Sequence, residues 1–241
     1  MSDARVAIVT GGSRGIGRAI VEALAERGWR VFFCSRSPKS VEAASRELAG
    51  RFSQDAGEAV TGWPVDVRRE EEVTAFVERV REQAGRLDCL VNNAGLGVFG
   101  PVDELTGEQF REVVETNLSG PFYFIRAAAP ALKERGGWIF NIASLAARNP
   151  FAGGAAYNAS KFGLVGLSEA AMLDLRQHRV RVSAILPGSV DTGFGHPDGA
   201  SKEAGWRLRP EDVARTVTDF LDFPDRALPS LLELRPTRPP K

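Results

Sequence analysis

Short apolar runs alternate along the whole chain with stretches whose apolar residues recur every three or four positions. Runs at about 6–9, 31–34, 59–65, 89–91, 138–144, 180–186 and 231–235 have the length and character of strands buried inside a sheet. Between them Ile16, Ala19, Ile20, Ala23 and Leu24 share one helical face, as do Val41, Ala44 and Leu48, and then Val73, Phe76, Val77 and Val80. The punctuation agrees: Gly28 and Gly85 follow helices, Ser37-Pro38 opens one, and Thr106-Gly107-Glu108-Gln109 has the spacing of a capping box. A long helix at about 109–133, carrying Phe110, Val113, Val114 and Leu118, is crossed by Gly120-Pro121. Another spans 157–175, and Pro210-Glu211-Asp212 starts the last. Strands and helices in this alternation predict an α/β fold: a three-layer, doubly wound parallel sheet of about seven strands. No repeat or linker divides residues 1–241, so a single domain is expected.

Composition narrows the classes. The 241 residues carry 31 basic and 31 acidic side chains, so no global field invites nucleic acid or a membrane surface. The start of the chain shows no secretory leader and no apolar run approaches a membrane span, which predicts a cytoplasmic protein. Cys34 and Cys89 fall in buried strands without metal-ligand spacing and read as small core residues. With only His178 and His196, neither a zinc site nor a Ser-His-Asp triad is expected.

The chemistry lies where the predicted strands end. The first strand opens into Thr10-Gly11-Gly12-Ser13-Arg14-Gly15-Ile16-Gly17 and then a helix. A glycine-rich turn there can set backbone N–H groups and the positive helix end against a pyrophosphate. The second strand ends Cys34-Ser35-Arg36, and no acid occurs between Glu26 and Glu42. An acid at that point would hold a ribose 2′-hydroxyl. Its absence, with Arg36 and Arg14 nearby, favours a 2′-phosphate, which guanidinium groups bind bidentately, and hence NADP. Tyr157 and Lys161 stand four residues apart, one turn along a helix, where a fixed ammonium is expected to lower the phenol's pKa from ~10. By itself that pair also describes many exposed amphipathic helices. Ser144 follows the strand just before it. Pro121 lacks an N–H, so the carbonyl of Asn117 loses its normal helical partner and needs another.

Taken in order, Thr-Gly-x-x-x-Gly-x-Gly at 10–17, Asn-Asn-Ala-Gly at 92–95, Asn117, Ser144, Tyr157-x-x-x-Lys161 and Pro187-Gly188 resemble the short-chain dehydrogenase/reductase family over about the first four-fifths of the chain. The resemblance implies a Rossmann sheet, a nicotinamide cofactor and hydride transfer between it and a carbonyl or alcohol. It makes Tyr157 the proton donor in reduction, lets Ser144 hydrogen-bond the substrate oxygen, and gives Lys161 the nicotinamide ribose. Asn117 completes the tetrad, its carbonyl holding a water that links to Lys161. The cofactor would lie on the glycine turn (Gly11, Ser13, Arg14, Gly15, Ile16, Gly17) and on Ser35 and Arg36. Asp66 and Val67 would edge the adenine, and Asn92, Ala94 and Gly95 would lie under the adenosine half. Pro187, Gly188 and Val190 would also contact the cofactor, and Thr192 would reach its nicotinamide end.

Two features depart from the family pattern: a short lid at about 189–209, and a C-terminus that reads Leu-Leu-Glu-Leu-Arg-Pro-Thr. The expected substrate is small or medium and apolar, in a pocket of Leu96, Val98, Phe99, Leu145, Phe151, Val190, Phe194 and Trp206, with Arg148 the nearby cation. A 3-oxoacyl-carrier-protein reductase, which needs a basic docking surface, stays open as a rival. So does a non-catalytic NADP-binding sensor, although an intact tetrad argues against it. The family pairs its two longest helices with symmetry mates, which implies a homodimer or homotetramer, with Ala127, Ala128, Ala170 and Ala171 small enough for close approach.

Overall fold

The computed structural model describes residues 4–54, 57–194 and 205–239. The sheet strands are β1 (Val6–Thr10), β2 (Arg30–Ser35), β5 (Val60–Pro64), β6 (Cys89–Asn92), β7 (Gly137–Ile142), β8 (Val180–Pro187) and β9 (Leu231–Leu234). They form one seven-stranded sheet in the order β5-β2-β1-β6-β7-β8-β9, and every pairing is parallel. The sequence pattern omits one small piece, the antiparallel pair β3 (Ser53–Gln54) and β4 (Gly57–Glu58). Two-residue strands carry too little periodicity to read.

Helices α1 (Gly15–Glu26), α2 (Pro38–Arg51) and α7 (Pro210–Leu221) cover one face of the sheet, and α3 (Glu70–Ala84), α5 (Gly120–Arg135) and α6 (Ala155–Leu175) cover the other. Side chains alternate across each strand, so Ala7, Val9, Phe33 and Phe140 enter the first core with Ile20, Leu24 and Val217. Their neighbours Ile8, Phe32 and Ile139 enter the second with Val73, Phe76 and Phe124. All of these are buried, and each large apolar side chain so placed contributes about 1.5–3 kcal/mol. Ser37 caps α2 by accepting from the Ser40 N–H, and Thr106 and Gln109 form the expected capping box on α4 (Gly107–Val114).

The long helix expected at 109–133 is not continuous. Glu115–Ser119 forms a π-helical turn between α4 and α5. The Gly120 N–H reaches back to the Glu115 carbonyl, five residues earlier, just before Pro121 removes a donor from the ladder.

In a doubly wound sheet, ligands bind beyond the carboxyl ends of the strands where the order reverses. Here that point lies between β1 and β6. Thr10 and Asn93 join the two sides: Thr10 Oγ1 accepts from the N–H groups of Asn93 and Ala94 at 2.9 Å each, and Asn93 Nδ2 donates to the Thr10 carbonyl at 2.9 Å.

Candidate active site

Tyr157 and Lys161 lie one turn apart on α6, beneath the end of β7. Lys161 is buried, and its ammonium donates to the Ile142 carbonyl at 2.9 Å. Its Nζ sits 5.7 Å from the centre of the Tyr157 ring. Ser144 leaves β7 in extended backbone, its Oγ accepts from the Ala146 N–H at 3.1 Å, and its side chain hydrogen-bonds the Tyr157 phenol.

The electrostatics correct one expectation. Burial raises the phenol of Tyr157 above its ordinary value, and the hydrogen bond from Ser144 opposes that rise without cancelling it. Desolvation also lowers the ammonium of Lys161 to about 8. The four-residue spacing by itself predicts that the lysine lowers the tyrosine. Here both groups lose water, and burial decides.

Asn117, fully buried on the π-helical turn, does not face the cavity. Its Oδ1 accepts from the Leu96 N–H, and its Nδ2 donates to the Leu96 carbonyl, each at 2.8 Å, and to Ser160 Oγ at 3.0 Å. Ser160 donates in turn to the Tyr157 carbonyl at 2.8 Å. The side chain therefore ties the segment after β6 to the first turn of α6, a duty separate from that of the Asn117 backbone carbonyl.

A cavity of about 770 Å³ runs along the carboxyl ends of the strands. Gly11, Ser13, Arg14, Gly15 and Ile16 line it, followed by Ser35, Arg36, Asp66 and Val67, then Ala94 and Gly95. Ser144, Tyr157 and Lys161 lie on it, as do Pro187, Gly188, Val190 and Thr192.

Two expected cofactor residues do not line the cavity. Asn92 is buried behind the wall, donating to Asn141 Oδ1 at 2.8 Å, while Asn141 donates to Ser168 Oγ at 2.8 Å. Asn93, the first residue beyond β6, takes the wall position instead. Gly17 is also a packing residue: a Cβ there would stand 2.3 Å from the Gly11 carbonyl oxygen and 2.4 Å from Asn93 Nδ2.

At the β2 end, Ser13 donates to Ser35 across 3.0 Å, and Ser37 and Ser40 join the wall. Arg68 was missed by sequence reasoning, although it stands only two residues past Asp66. Its guanidinium meets Asp66 at 2.6 Å and Glu112 at 3.0 Å and holds the Asp66 carboxyl below its usual range. Glu112 also pairs with Arg36 at 3.2 Å, whereas Arg14 makes no ion pair with any described residue.

On the other side Leu96, Phe99, Leu145, Phe151, Val190 and Phe194 line the cavity as expected. Val98, Arg148 and Trp206 do not, and Arg148 faces Glu233 at 3.6 Å. Arg207 occupies the wall, its Nε buried and without a hydrogen-bond partner among the described residues. Residues 195–204 of the expected lid lie outside the described residues.

Residues 5–203 match the family model described as short chain dehydrogenase. The chain belongs to the short-chain dehydrogenase family. It is 40% identical over 219 residues to a putative ketoacyl reductase of Streptomyces coelicolor, covering 90% of this chain and 82% of that one. Among solved structures, an alcohol dehydrogenase from the archaeon Thermococcus sibiricus complexed with 5-hydroxy-NADP superposes with a TM-score of 0.88 at 32% identity, covering 99% of this chain and all of that one. A metagenomic short-chain oxidoreductase in complex with NADP gives 0.83 at 38% identity, with 98% of both chains covered. The seven-stranded Rossmann sheet of this short-chain dehydrogenase agrees with both. No described helix is long and apolar enough to cross a membrane, and no described group of three His, Cys, Asp or Glu residues is placed to hold a metal.

Proposed function

We propose that this oxidoreductase interconverts a carbonyl and an alcohol on a small or medium apolar substrate, using NADP(H), with Tyr157 as proton donor and acceptor. The observation that carries the reading is the convergence of Ser144, Tyr157 and Lys161 on one cavity whose nearby walls are Leu96, Leu145 and phenylalanine rings. The opposite end fits a dinucleotide. Gly11 has φ 67°, and a Cβ there would lie 2.9 Å from the Ala94 Cα, so glycine lets this turn pack on the segment after β6 at the start of α1, a helix end that favours a phosphate.

Bound there, NADP(H) would supply or accept the hydride. Ser144 would hold the substrate oxygen, and the Tyr157 hydroxyl would give its proton to that oxygen. A phenol raised by burial stays protonated at neutral pH, which suits an acid in the reductive direction. Oxidation needs the phenolate, so that direction gains as pH rises. Lys161 fixes the tyrosine's turn of helix to the end of β7, and the Asn117–Ser160 bridge fixes it to the segment after β6.

The preference for NADP rests on Arg14 and Arg36 beside the hydroxyls of Ser13, Ser35, Ser37 and Ser40, with no acid at the end of β2. The NADP-type ligands named for the two similar structures support it. Exposed Phe110, Phe122 and Phe162 on α4, α5 and α6 support a homodimer or homotetramer.

The name of the Streptomyces relative favours a second reading, reduction of a 3-oxoacyl thioester. The test follows NADPH oxidation with a panel of simple ketones and one 3-oxoacyl thioester. Tyr157→Phe should lower turnover by ~10²–10⁴ while NADPH still binds. A variant keeping more than about a tenth of wild-type turnover removes Tyr157 from this role.

A further inference from the structure

Three consecutive strands each send one phenylalanine to the same tyrosine. Phe99 follows β6, Phe151 follows β7 and Phe194 follows β8. Their ring centres lie 5.7, 6.4 and 5.8 Å from that of Tyr157, and Phe99 and Phe151 are 5.8 Å apart. All line the cavity, yet they are 44%, 46% and 42% exposed, so each keeps an uncovered surface.

Glycines and backbone bonds hold these rings. The Gly100 N–H donates to the Gly153 carbonyl at 2.8 Å, joining the Phe99 and Phe151 segments. Asn158 Nδ2 donates to the Phe151 carbonyl at 2.9 Å. A Cβ on Gly97 would stand 2.6 Å from the Phe99 ring and 3.1 Å from the Phe194 ring, and one on Gly154 would stand 2.7 Å from the Phe151 ring. A side chain at either glycine would force these rings to shift.

The sheet order separates this cluster from the far end of the cavity. Arg14, Arg36, Asp66 and Arg68 follow β1, β2 and β5, while the rings follow β6, β7 and β8. The ring cluster thus sits on the proton-transfer side of the switch point.

From this arrangement we infer that Phe99, Phe151 and Phe194 form a recognition box for a planar aromatic ring next to the reacting carbon, so that the substrates are aryl ketones and the matching secondary alcohols. The inference rests on the carbonyl–alcohol reading above and adds the substrate class. A flat ring can make edge and offset contacts with two or three of these rings at once. A saturated ring of the same size brings similar apolar area without that geometry. The difference is about tenfold in affinity.

Acetophenone and cyclohexyl methyl ketone share a carbon skeleton and differ in the flatness of the ring; because the aryl carbonyl is also conjugated with its ring, the two are compared in binding. Binding of each is measured by calorimetry, with and without NADP⁺, which cannot reduce a ketone, so no turnover intervenes. Acetophenone should bind about tenfold tighter to the wild type. Phe99→Leu, Phe151→Leu and Phe194→Leu should each lose a few-fold of that advantage, leaving cyclohexyl methyl ketone and NADP⁺ binding about unchanged. Equal binding of the two ketones, or failure of both to bind, overturns the box without any variant needing to fold. Variants that weaken NADP⁺ instead of acetophenone overturn it by assigning the rings to the coenzyme. NADPH oxidation is read separately. If no ketone turns over while the aryl preference in binding persists, the carbonyl reading fails and takes the substrate class with it, while recognition of an aromatic ring by the three phenylalanines stands. Turnover of the ketones together with equal binding of the two overturns the box and leaves the carbonyl reading intact.

Discussion

Lys161→Met offers a direct measure of what the active site costs the fold. Lys161 is buried, and its ammonium is lowered from 10.5 to about 8 by loss of water. Between those values the unfolded chain holds a proton that the folded chain has released, so stability rises with pH across that window. Below about 8 both states are protonated and the full penalty applies. A difference of about 2.5 units at 1.36 kcal/mol each amounts to roughly 3 kcal/mol. Methionine keeps the packing and titrates nothing. The assay is urea unfolding of both proteins, coenzyme-free and at one concentration, from pH 7 to 11. Relative to Lys161→Met, the wild type should gain about 3 kcal/mol between pH 7 and 11, mostly above pH 8. Loss of the hydrogen bond to the Ile142 carbonyl shifts the absolute offset between the two proteins, so only the slope is read. A pH-independent offset would show that the ammonium keeps its water in the folded state, and the desolvation argument would fall.

Arg36→Asp should weaken NADPH by about tenfold to a hundredfold and leave NADH far less affected, as dissociation constants for both coenzymes would show; an unchanged preference moves the phosphate site to Arg14. Glu112 neutralises both Arg36 and Arg68, so Glu112→Gln should tighten NADPH about fivefold with NADH unchanged, and a weaker NADPH complex would mean that Glu112 positions the arginines rather than competing for them. Gly17→Ala places a methyl group 2.3 Å from the Gly11 carbonyl oxygen, and chemical unfolding should show a loss of about 1–3 kcal/mol together with weaker coenzyme binding. Light scattering at micromolar concentration should give the mass of a dimer or tetramer, and a monomeric mass refutes the pairing of exposed helix faces.

Much of this molecule is legible in the order of its residues. Strand runs and helical periodicities near the sheet depend on local pattern, because each element must bury one face, and they predict the parallel layers without knowledge of neighbours. The ordered motifs, from the glycine turn to Tyr157 and Lys161, likewise mark the strand ends that meet at one cavity. Other properties exist only between elements. Asn92 ends β6, where the pairing with β7 sends it to Asn141, while Asn93, just past the strand, lines the cavity. Arg148 looked close to the site along the chain, but Glu233 before it and Arg207 in the cavity wall come from distant segments. The sequence places Lys161 beside Tyr157. Only the packed structure buries Lys161 and half-buries Tyr157, and that loss of water lowers the ammonium and raises the phenol, the opposite of what spacing alone suggests for the tyrosine.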